Sequence, residues 1–134
     1  KNGIVLKSVN SGNDWVGLKR FTQNYLKTIF FIDANIGFTG GAGGSIFKTE
    51  NGGESWKEYK TGLYSGILSI FFTDIENGFA VTNKGEIIVT DDSGETWKTI
   101  KSGSYVNLTD ICITPFKEVF FSGYNGTILK MKTN

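Results

Sequence analysis

The chain has 134 residues, enough for one domain with its own core but not for two. Its 18 glycines and single proline indicate many tight turns, and a hydrophobic fraction of 39% excludes a disordered polar linker. Fourteen basic and thirteen acidic residues, spread along the sequence for a net charge of +1, argue against a nucleic-acid partner, and no apolar run approaches the roughly 18 residues that cross a bilayer.

An internal repeat of 41 residues runs through the chain. The three tryptophans, Trp15, Trp56 and Trp97, are separated by that step. Glycine, phenylalanine and isoleucine positions keep the same register without insertion or deletion: Gly3, Gly44, Gly85 and Gly126; Phe38, Phe79 and Phe120; Ile29, Ile70 and Ile111. The chain is therefore predicted to consist of one structural unit used several times.

Each repeat predicts four short β-strands and no helix. In the third copy the strands cover 67–73, 78–82, 86–90 and 97–100, with turn residues such as Asn83 and Gly85 between them. Such apolar strands are expected to be covered on both faces, and Cys112, the only cysteine, lies in one and is predicted to be a small buried side chain. Four antiparallel strands in about 40 residues are typical of a β-propeller blade. We therefore predict an all-β fold, a β-propeller of four-stranded antiparallel blades.

The phase of the repeat gives the number of blades. The chain begins with strands three and four of one blade, at 4–8 and 15–19, passes through two full blades and finishes with strands one to three of another. We predict thirteen strands, or about three blades, in a single propeller segment over 1–134. Its parts are a partial blade at 1–25, blades at 26–66 and 67–107, and a partial blade at 108–134.

A propeller ring normally closes with four to eight blades, so about three blades leave the ring open. One hypothesis is that two chains associate as a homodimer with a six-bladed ring. The other is that the chain is a piece of a longer parent of six to eight blades and associates with further blades. The start at Lys1 without a methionine and the abrupt end at Asn134 favour the second hypothesis.

The loop between the third and fourth strands carries the most specific motif. It has Ser or Thr at its first position, Asn or Asp at its third, Gly at its fifth and Trp at its eighth. The asparagine or aspartate can accept hydrogen bonds from the turn's own N–H groups, the glycine allows a left-handed conformation, and the tryptophan packs between sheets. The three copies, called the box turns from here on, contain Ser8, Asn10, Gly12 and Trp15; Thr49, Asn51, Gly53 and Trp56; and Thr90, Asp92, Gly94 and Trp97.

The box turns resemble the Asp box, or BNR repeat, and the wider pattern over 78–97 resembles the Ycf48-like proteins, which include photosystem II stability and assembly factors. The resemblance covers essentially the whole chain. It implies a propeller that binds a protein partner without catalysis, in an extracytoplasmic (periplasmic or secreted) location. The first copy departs from the pattern, with Asp14 in place of the hydroxyl residue and Asn10 in place of the aspartate, so we expect a looser turn there.

The box turns also raise the question of a metal ion. Asn10, Asn51 and Asp92 each offer one side-chain oxygen ligand, a full blade apart, whereas Ca²⁺ takes six to eight oxygen ligands. We therefore predict that these side chains stabilise turns, and we predict no metal site and no cofactor.

Sialidases carry Asp boxes too, which raises an enzymatic alternative. They bind the substrate carboxylate with an arginine triad, and this chain contains one arginine, Arg20. The sequence has no histidine, which removes the Ser-His-Asp and Cys-His nucleophile systems. Asp33 and Asp74 are predicted turn residues, and Asp110, within a first strand, is placed to face the central channel. We predict no catalytic residues; a fragment of a larger sialidase-like, glycoside-acting protein stays as an alternative.

Binding residues are expected on loops, where a rigid scaffold presents them. The loops that join one blade to the next, at 20–25, 61–66 and 102–107, vary most, and each contains a tyrosine. The alternative for these tyrosines is that they only pack over blade edges. A protein partner is favoured over a glycan, which would use Tyr105 with Asn107 or Tyr124 with Asn125. The predicted binding residues are Arg20, Tyr25, Tyr64, Tyr105 and Tyr124.

Overall fold

The computed structural model describes residues 3–132, which form an all-β structure. The strands are β1 (Leu6–Lys7), β2 (Val16–Gly17), β3 (Leu26–Phe31), β4 (Gly37–Gly41), β5 (Ser45–Thr49), β6 (Lys57–Lys60), β7 (Ile67–Phe72), β8 (Gly78–Thr82), β9 (Ile87–Thr90), β10 (Lys98–Ile100), β11 (Leu108–Ile113), β12 (Glu118–Gly123) and β13 (Ile128–Lys132). Two single 3-10 turns, Ala42–Gly44 and Tyr124–Gly126, lie between strands. No helix in this part of the chain has the length and apolar character needed to cross a bilayer.

The strands form four antiparallel sheets in chain order. Blade 1 is the pair β1–β2, blade 2 is β3–β4–β5–β6, blade 3 is β7–β8–β9–β10, and blade 4 is β11–β12–β13. The first strands of successive blades lie side by side, β3 against β7 and β7 against β11, as at the centre of a propeller. The predicted all-β fold with four-stranded antiparallel blades is confirmed.

The strand bounds agree with the prediction in the third copy but not at the beginning of the chain. There, the segments 4–8 and 15–19 were predicted as strands, and the observed strands are only Leu6–Lys7 and Val16–Gly17. Both strands of this ribbon are largely exposed, with Leu6 and Val16 in solvent. A two-stranded ribbon without a covering layer is only marginally stable, which accounts for its short pairing.

Two hydrophobic clusters hold the blades together. The cluster between blades 2 and 3 contains the fully buried Phe38 and Ile46 packed with Ile70 and Phe72, and the Phe38 and Phe72 rings stack with centroids 4.0 Å apart. An equivalent cluster between blades 3 and 4 is built around Phe79, Val81, Leu108 and Phe121. Since burial of one such side chain contributes about 1.5–3 kcal/mol, these clusters dominate the stability of the blades.

Residues at equivalent repeat positions are buried between blades in the middle of the chain and exposed in the blades at its two ends. Ile70 is 3% exposed between blades 2 and 3, whereas its equivalent Ile29, on the side of blade 2 that faces blade 1, is 60% exposed. Ile46 is fully buried, whereas its equivalent Ile128 in blade 4 is exposed. We call the exposed apolar side around Ile29 the leading face, and the exposed side around Ile128 the trailing face.

Cys112 lies on the trailing face and is exposed, so the prediction of a buried cysteine was wrong. Its equivalents in blades 2 and 3, Phe30 and Phe71, pack against the interblade clusters. The predicted apolar strand around Cys112 is confirmed as β11. Burial at this position, however, depends on a neighbouring blade, and among the described residues no blade covers the trailing face of blade 4.

The tryptophans give a test of this dependence on neighbours. Trp97 is 9% exposed between blades 2 and 3, and the equivalent Trp15 is 61% exposed. Replacing Trp97 by Ala should lower the free energy of unfolding by about 3–5 kcal/mol, because a large cavity opens in a packed cluster. Trp15→Ala should cost less than about 1 kcal/mol. Urea denaturation followed by far-UV circular dichroism measures both, and equal losses would contradict the proposed role of interblade packing.

Candidate binding face

Strand direction divides the loops of the propeller between two ends. Successive strands run in opposite directions, so turns between second and third strands lie at the same end as the loops that join blades. The first-to-second turns and the box turns lie at the other end. The loop face is the set 19–25, 42–45, 60–66, 83–86, 101–107 and 123–127. The box face is the set 8–14, 32–36, 49–55, 73–77, 90–96 and 113–118.

Hydrogen bonds from backbone N–H groups and from side-chain hydroxyls restrain the loops of the loop face. The N–H of Ala42 donates to the carbonyl of Tyr25 at 2.9 Å, and the N–H of Tyr124 donates to the carbonyl of Asn107 at 2.9 Å. The hydroxyl of Thr61 donates to the Gly44 carbonyl at 2.6 Å, and the equivalent Ser102 hydroxyl donates to the Gly85 carbonyl at 2.6 Å. Each interblade loop is therefore tied to the turn beside it, which restrains its backbone.

The predicted binding residues all lie on the loop face, and their side chains are exposed. Tyr64 is 93% exposed and the equivalent Tyr105 is 94% exposed, so these two rings do not pack over blade edges. Tyr25 is 52% exposed and Tyr124 is 60% exposed. Both contribute a backbone group to the hydrogen bonds described above. Arg20 donates from Nε to the Thr22 carbonyl at 3.1 Å and is otherwise open to solvent.

Two grooves open on the loop face in the register of the repeat. One has a volume of about 250 Å³ and is lined by 43–45 and 60–64. The other has a volume of about 640 Å³ and is lined by 84–86 and 99–105. Tyr64 and Tyr105 lie at equivalent places in these grooves, as do Lys60 and Lys101. The lysines were not among the predicted binding residues, although their 41-residue spacing was visible in the sequence.

The box turns satisfy their polar atoms internally. In each turn the first hydroxyl accepts a hydrogen bond from the glycine N–H, at 2.9 Å for Thr90 and Gly94. The third residue accepts one from the backbone four positions later, at 2.9 Å for Asp92 and Thr96. The tryptophan indole N–H donates to the glycine carbonyl, at 3.1 Å for Trp97 and Gly94. The glycine has φ of +79° at Gly94, a left-handed conformation that glycine adopts without strain.

The first box turn has the same three hydrogen bonds, so the prediction of a looser turn was wrong. The Ser8 hydroxyl accepts from the Gly12 N–H at 2.8 Å, and the Asn10 amide oxygen accepts from the Asp14 N–H at 2.9 Å. The Asn10 amide also donates to the Asp14 carboxylate at 2.7 Å. An amide–carboxylate pair therefore replaces the carboxylate–hydroxyl pair of the third copy.

The remaining carboxylates singled out from the sequence have structural partners. Asp33 accepts hydrogen bonds from the N–H groups of Asn35 and Ile36, both at 2.7 Å, and these bonds hold its pKa below the ordinary value. Asp110 is exposed on β11, where it accepts from its neighbour's N–H at 2.8 Å and from the Ser69 hydroxyl at 3.3 Å. Among residues 3–132, no three Cys, Asp or Glu side chains are grouped to hold a metal ion.

A further polar groove, of about 400 Å³, lies on the box-turn side of blade 2. It is bordered by Lys48, Glu50 and Trp56. Lys48 pairs with Glu50 at 3.1 Å, and the Trp56 indole donates to the Gly53 carbonyl at 3.0 Å. Its main polar groups are thus engaged with one another, unlike the exposed side chains of the loop face.

Comparison with known proteins supports the fold. Neither a protein-family model nor a curated protein matches the chain. The solved structure of YCF48 from Cyanidioschyzon merolae is similar, with a TM-score of 0.82 and 25% identity over 96% of this chain and 44% of that one. A structure of YCF48 bound to D1 peptide is also similar, with a TM-score of 0.76 and 18% identity over 98% of this chain and 46% of that one. The chain spans less than half the length of these structures, and it has a Ycf48-like propeller fold, as predicted.

The ionisation of Asp92 predicts how the stability of the folded chain depends on pH. Hydrogen bonds from the Thr96 hydroxyl and N–H lower its pKa from 3.8 to about 2, so the unfolded chain binds a proton more readily than the folded one. The stabilisation from ionised Asp92 is therefore present above about pH 4 and is lost as pH falls toward 2. Asp92→Asn copies the turn at Asn51, which cannot ionise, so its melting temperature should fall less than that of wild type over this window.

The control is the reciprocal change in the second box turn. Asn51→Asp should gain the pH dependence that Asp92→Asn loses, since both turns have the same backbone donors. Thermal melts at intervals between about pH 5 and pH 2 measure the effect. Parallel curves for wild type and Asp92→Asn would show that Asp92 is not stabilised as a carboxylate in this turn.

Proposed function

We propose that the chain is a non-catalytic scaffold that binds a protein partner through its loop face. The observation that carries this proposal is the pair of tyrosines, Tyr64 and Tyr105, which project almost fully into solvent from loops with fixed backbones. A propeller of the same fold has been solved with a bound peptide, which supports a protein ligand.

Exposed tyrosines on rigid loops suit protein recognition for a physical reason. A tyrosine ring offers a large contact area, a hydroxyl for hydrogen bonding and only two side-chain torsions to immobilise. Loops that are already ordered lose little conformational entropy on binding. The hydrogen bonds of Thr61 and Ser102 provide that order beneath the two grooves.

The chemistry of the side chains supports a non-catalytic role. The sequence has no histidine and a single arginine, Arg20. The carboxylates of Asp33 and Asp92 are occupied by hydrogen bonds within their own turns. General acid–base catalysis needs a titrating group near its operating pH, whereas the pKa values of both carboxyl groups are lowered. An extracytoplasmic location stays a prediction from the family resemblance.

The two exposed apolar faces support association with further blades. Leading and trailing positions such as Ile29 and Ile128 are equivalent to positions that are buried wherever two blades meet. Apolar surface of this kind is stabilised by burial against a matching blade. The further blades come either from a second copy of the chain or from the rest of a longer parent protein. Sedimentation equilibrium of the isolated chain tests the first possibility, because it distinguishes a dimer from a monomer.

A glycan is the second candidate ligand, and blade 4 provides the observation for it. Tyr105 and Tyr124 are both exposed there, and the Tyr124 N–H is bonded to the Asn107 carbonyl, which brings the two loops together. Aromatic rings beside asparagine amides suit sugar recognition. Binding on a glycan array that is lost in Tyr124→Ala, but kept in Tyr64→Ala, would favour this candidate.

The protein-binding proposal predicts the effect of removing the two tyrosines. The double change Tyr64→Ala and Tyr105→Ala should weaken partner binding at least about 30-fold, the loss typical of a binding hot spot. Phe116→Ala is the matched control, because Phe116 is an equally exposed aromatic residue on the box face. Quantitative affinity capture with wild type and both variants measures the effect. Partners that the double variant retains as well as wild type would contradict the proposal.

A further inference from the structure

The two ends of the propeller differ in charge, although the net charge of the chain is only +1. The loop face contains five cations and one carboxylate, Glu86, among its defined residues. The box face contains ten carboxylates and one lysine among its own. The fold therefore gives the loop face an excess of positive charge and the box face an excess of negative charge. The five loop-face cations are Lys19, Arg20, Lys60, Lys84 and Lys101.

The loop-face cations are exposed, and within residues 3–132 none of them forms an ion pair with a carboxylate. The four ion pairs within residues 3–132 all use carboxylates of the box face, which are Glu54, Glu50, Asp91 and Glu118. The single carboxylate among the loop-face residues, Glu86, also lines the larger groove, and it accepts hydrogen bonds from the Ser65 hydroxyl and, at 2.6 Å, from the Thr82 hydroxyl. A second carboxylate, Glu58 of β6, accepts a hydrogen bond from the loop-face Ser45 hydroxyl. Both carboxylates are bound to hydroxyl groups and neither forms an ion pair with a loop-face cation, so the five cations leave this face with an excess of positive charge.

Cations and tyrosines meet in the two grooves. Lys60 and Tyr64 line the smaller groove, and the equivalent Lys101 and Tyr105 line the larger one, which also includes Lys84. Lys19 occupies the same repeat position before blade 2. Each full blade therefore has a lysine and an exposed tyrosine lining the same groove. This combination can bind a carboxylate and an apolar side chain at the same time.

We infer that the partner of the loop face is an acidic segment of a protein, with carboxylates at Lys60, Lys84 and Lys101 and apolar or aromatic side chains at Tyr64 and Tyr105. This inference rests on the proposed protein-binding function and specifies its ligand. Lysines attract carboxylates as point charges, without the fixed fork geometry of arginine, so the preference is for acidic composition more than for one exact motif.

The arrangement favours an acidic peptide over a nucleic acid. A nucleic-acid backbone carries regularly spaced phosphates and is bound by a continuous basic track. Here the cations occur in separate grooves, one blade apart, with loop backbone between them. The opposite end of the same small protein is strongly acidic, which opposes a long polyanion that extends beyond the loop face.

An array of random twelve-residue peptides, probed with the fluorescently labelled chain, tests the inference. Bound peptides should be enriched in Asp and Glu next to Tyr, Phe or Leu. The triple variant Lys60→Gln, Lys84→Gln and Lys101→Gln should lose this enrichment, with affinity for a selected acidic peptide reduced about threefold for each lysine removed. The control is Lys98→Gln, an exposed lysine that instead pairs with Asp91 of the box face.

The outcomes separate this inference from the proposed function. Loss of acidic preference in the triple variant, with Lys98→Gln unchanged, supports the inference. Peptides that bind without acidic preference, yet need Tyr64 and Tyr105, would overturn it and leave the protein-binding function standing. No peptide binding would count against both. Tighter binding of a 20-nucleotide single-stranded DNA through the same lysines would overturn the peptide assignment in favour of nucleic acid. Unchanged thermal melts would show that the variants fold.

Discussion

Blades 2, 3 and 4 each have two apolar sides, and burial of those sides against neighbouring blades is the constraint on which the structure depends. Phe38 and Phe72 stack across the contact between blades 2 and 3, and Ile70 lies fully enclosed beside them. The equivalent Ile29 lies in solvent where blade 1 has only two strands. Because a sheet with two apolar faces cannot be stable alone in water, each blade is stabilised mainly by its neighbours, as in other repeat proteins.

Since packing occupies the sides of the blades, recognition of a partner is left to the two ends. At the box face, Thr90 and Asp92 use their hydrogen-bonding groups within their own turn, and the ion pairs neutralise several carboxylates. At the loop face, backbone atoms and short hydroxyl side chains hold the loops in place. The side chains of Tyr64 and Tyr105 and of the five loop-face cations there are exposed to solvent. One end thus stabilises hairpins while the other presents side chains.

The repeat made most of the fold predictable from sequence. A fixed 41-residue step placed the strands of blade 3 within about one residue, because glycine and turn residues limit where each strand can end. The tyrosines were predicted as binding residues because they recur in the loops between blades, and the structure shows that they are exposed. Burial at the ends of the chain was not predictable in the same way. Cys112 has the sequence surroundings of a core residue, but its exposure depends on which blade lies beside it.

The charge separation could not be read along the sequence either. Asp91 and Lys101 flank the same short strand, β10, and in the sequence they look like ordinary mixed surface charge. They lie at opposite ends of the sheet because a strand separates them. Only the direction of each strand assigns a charge to one face or the other, so a chain with net charge near zero can still present one strongly basic surface.

Interblade packing also sets the spacing of the binding positions. Each groove is formed by the turn between the second and third strands and by the loop that follows the fourth strand. In blade 2 these segments are 43–45 and 60–64. Blade 4 has the corresponding turn at Tyr124–Gly126 but no fourth strand among the described residues. A strand and blade added at the trailing face would complete a third groove in the same register. If the loop face binds a protein segment as proposed, a segment that reaches two adjacent grooves would gain affinity from their fixed separation, and the contacts that stabilise the blades would set the length of that segment.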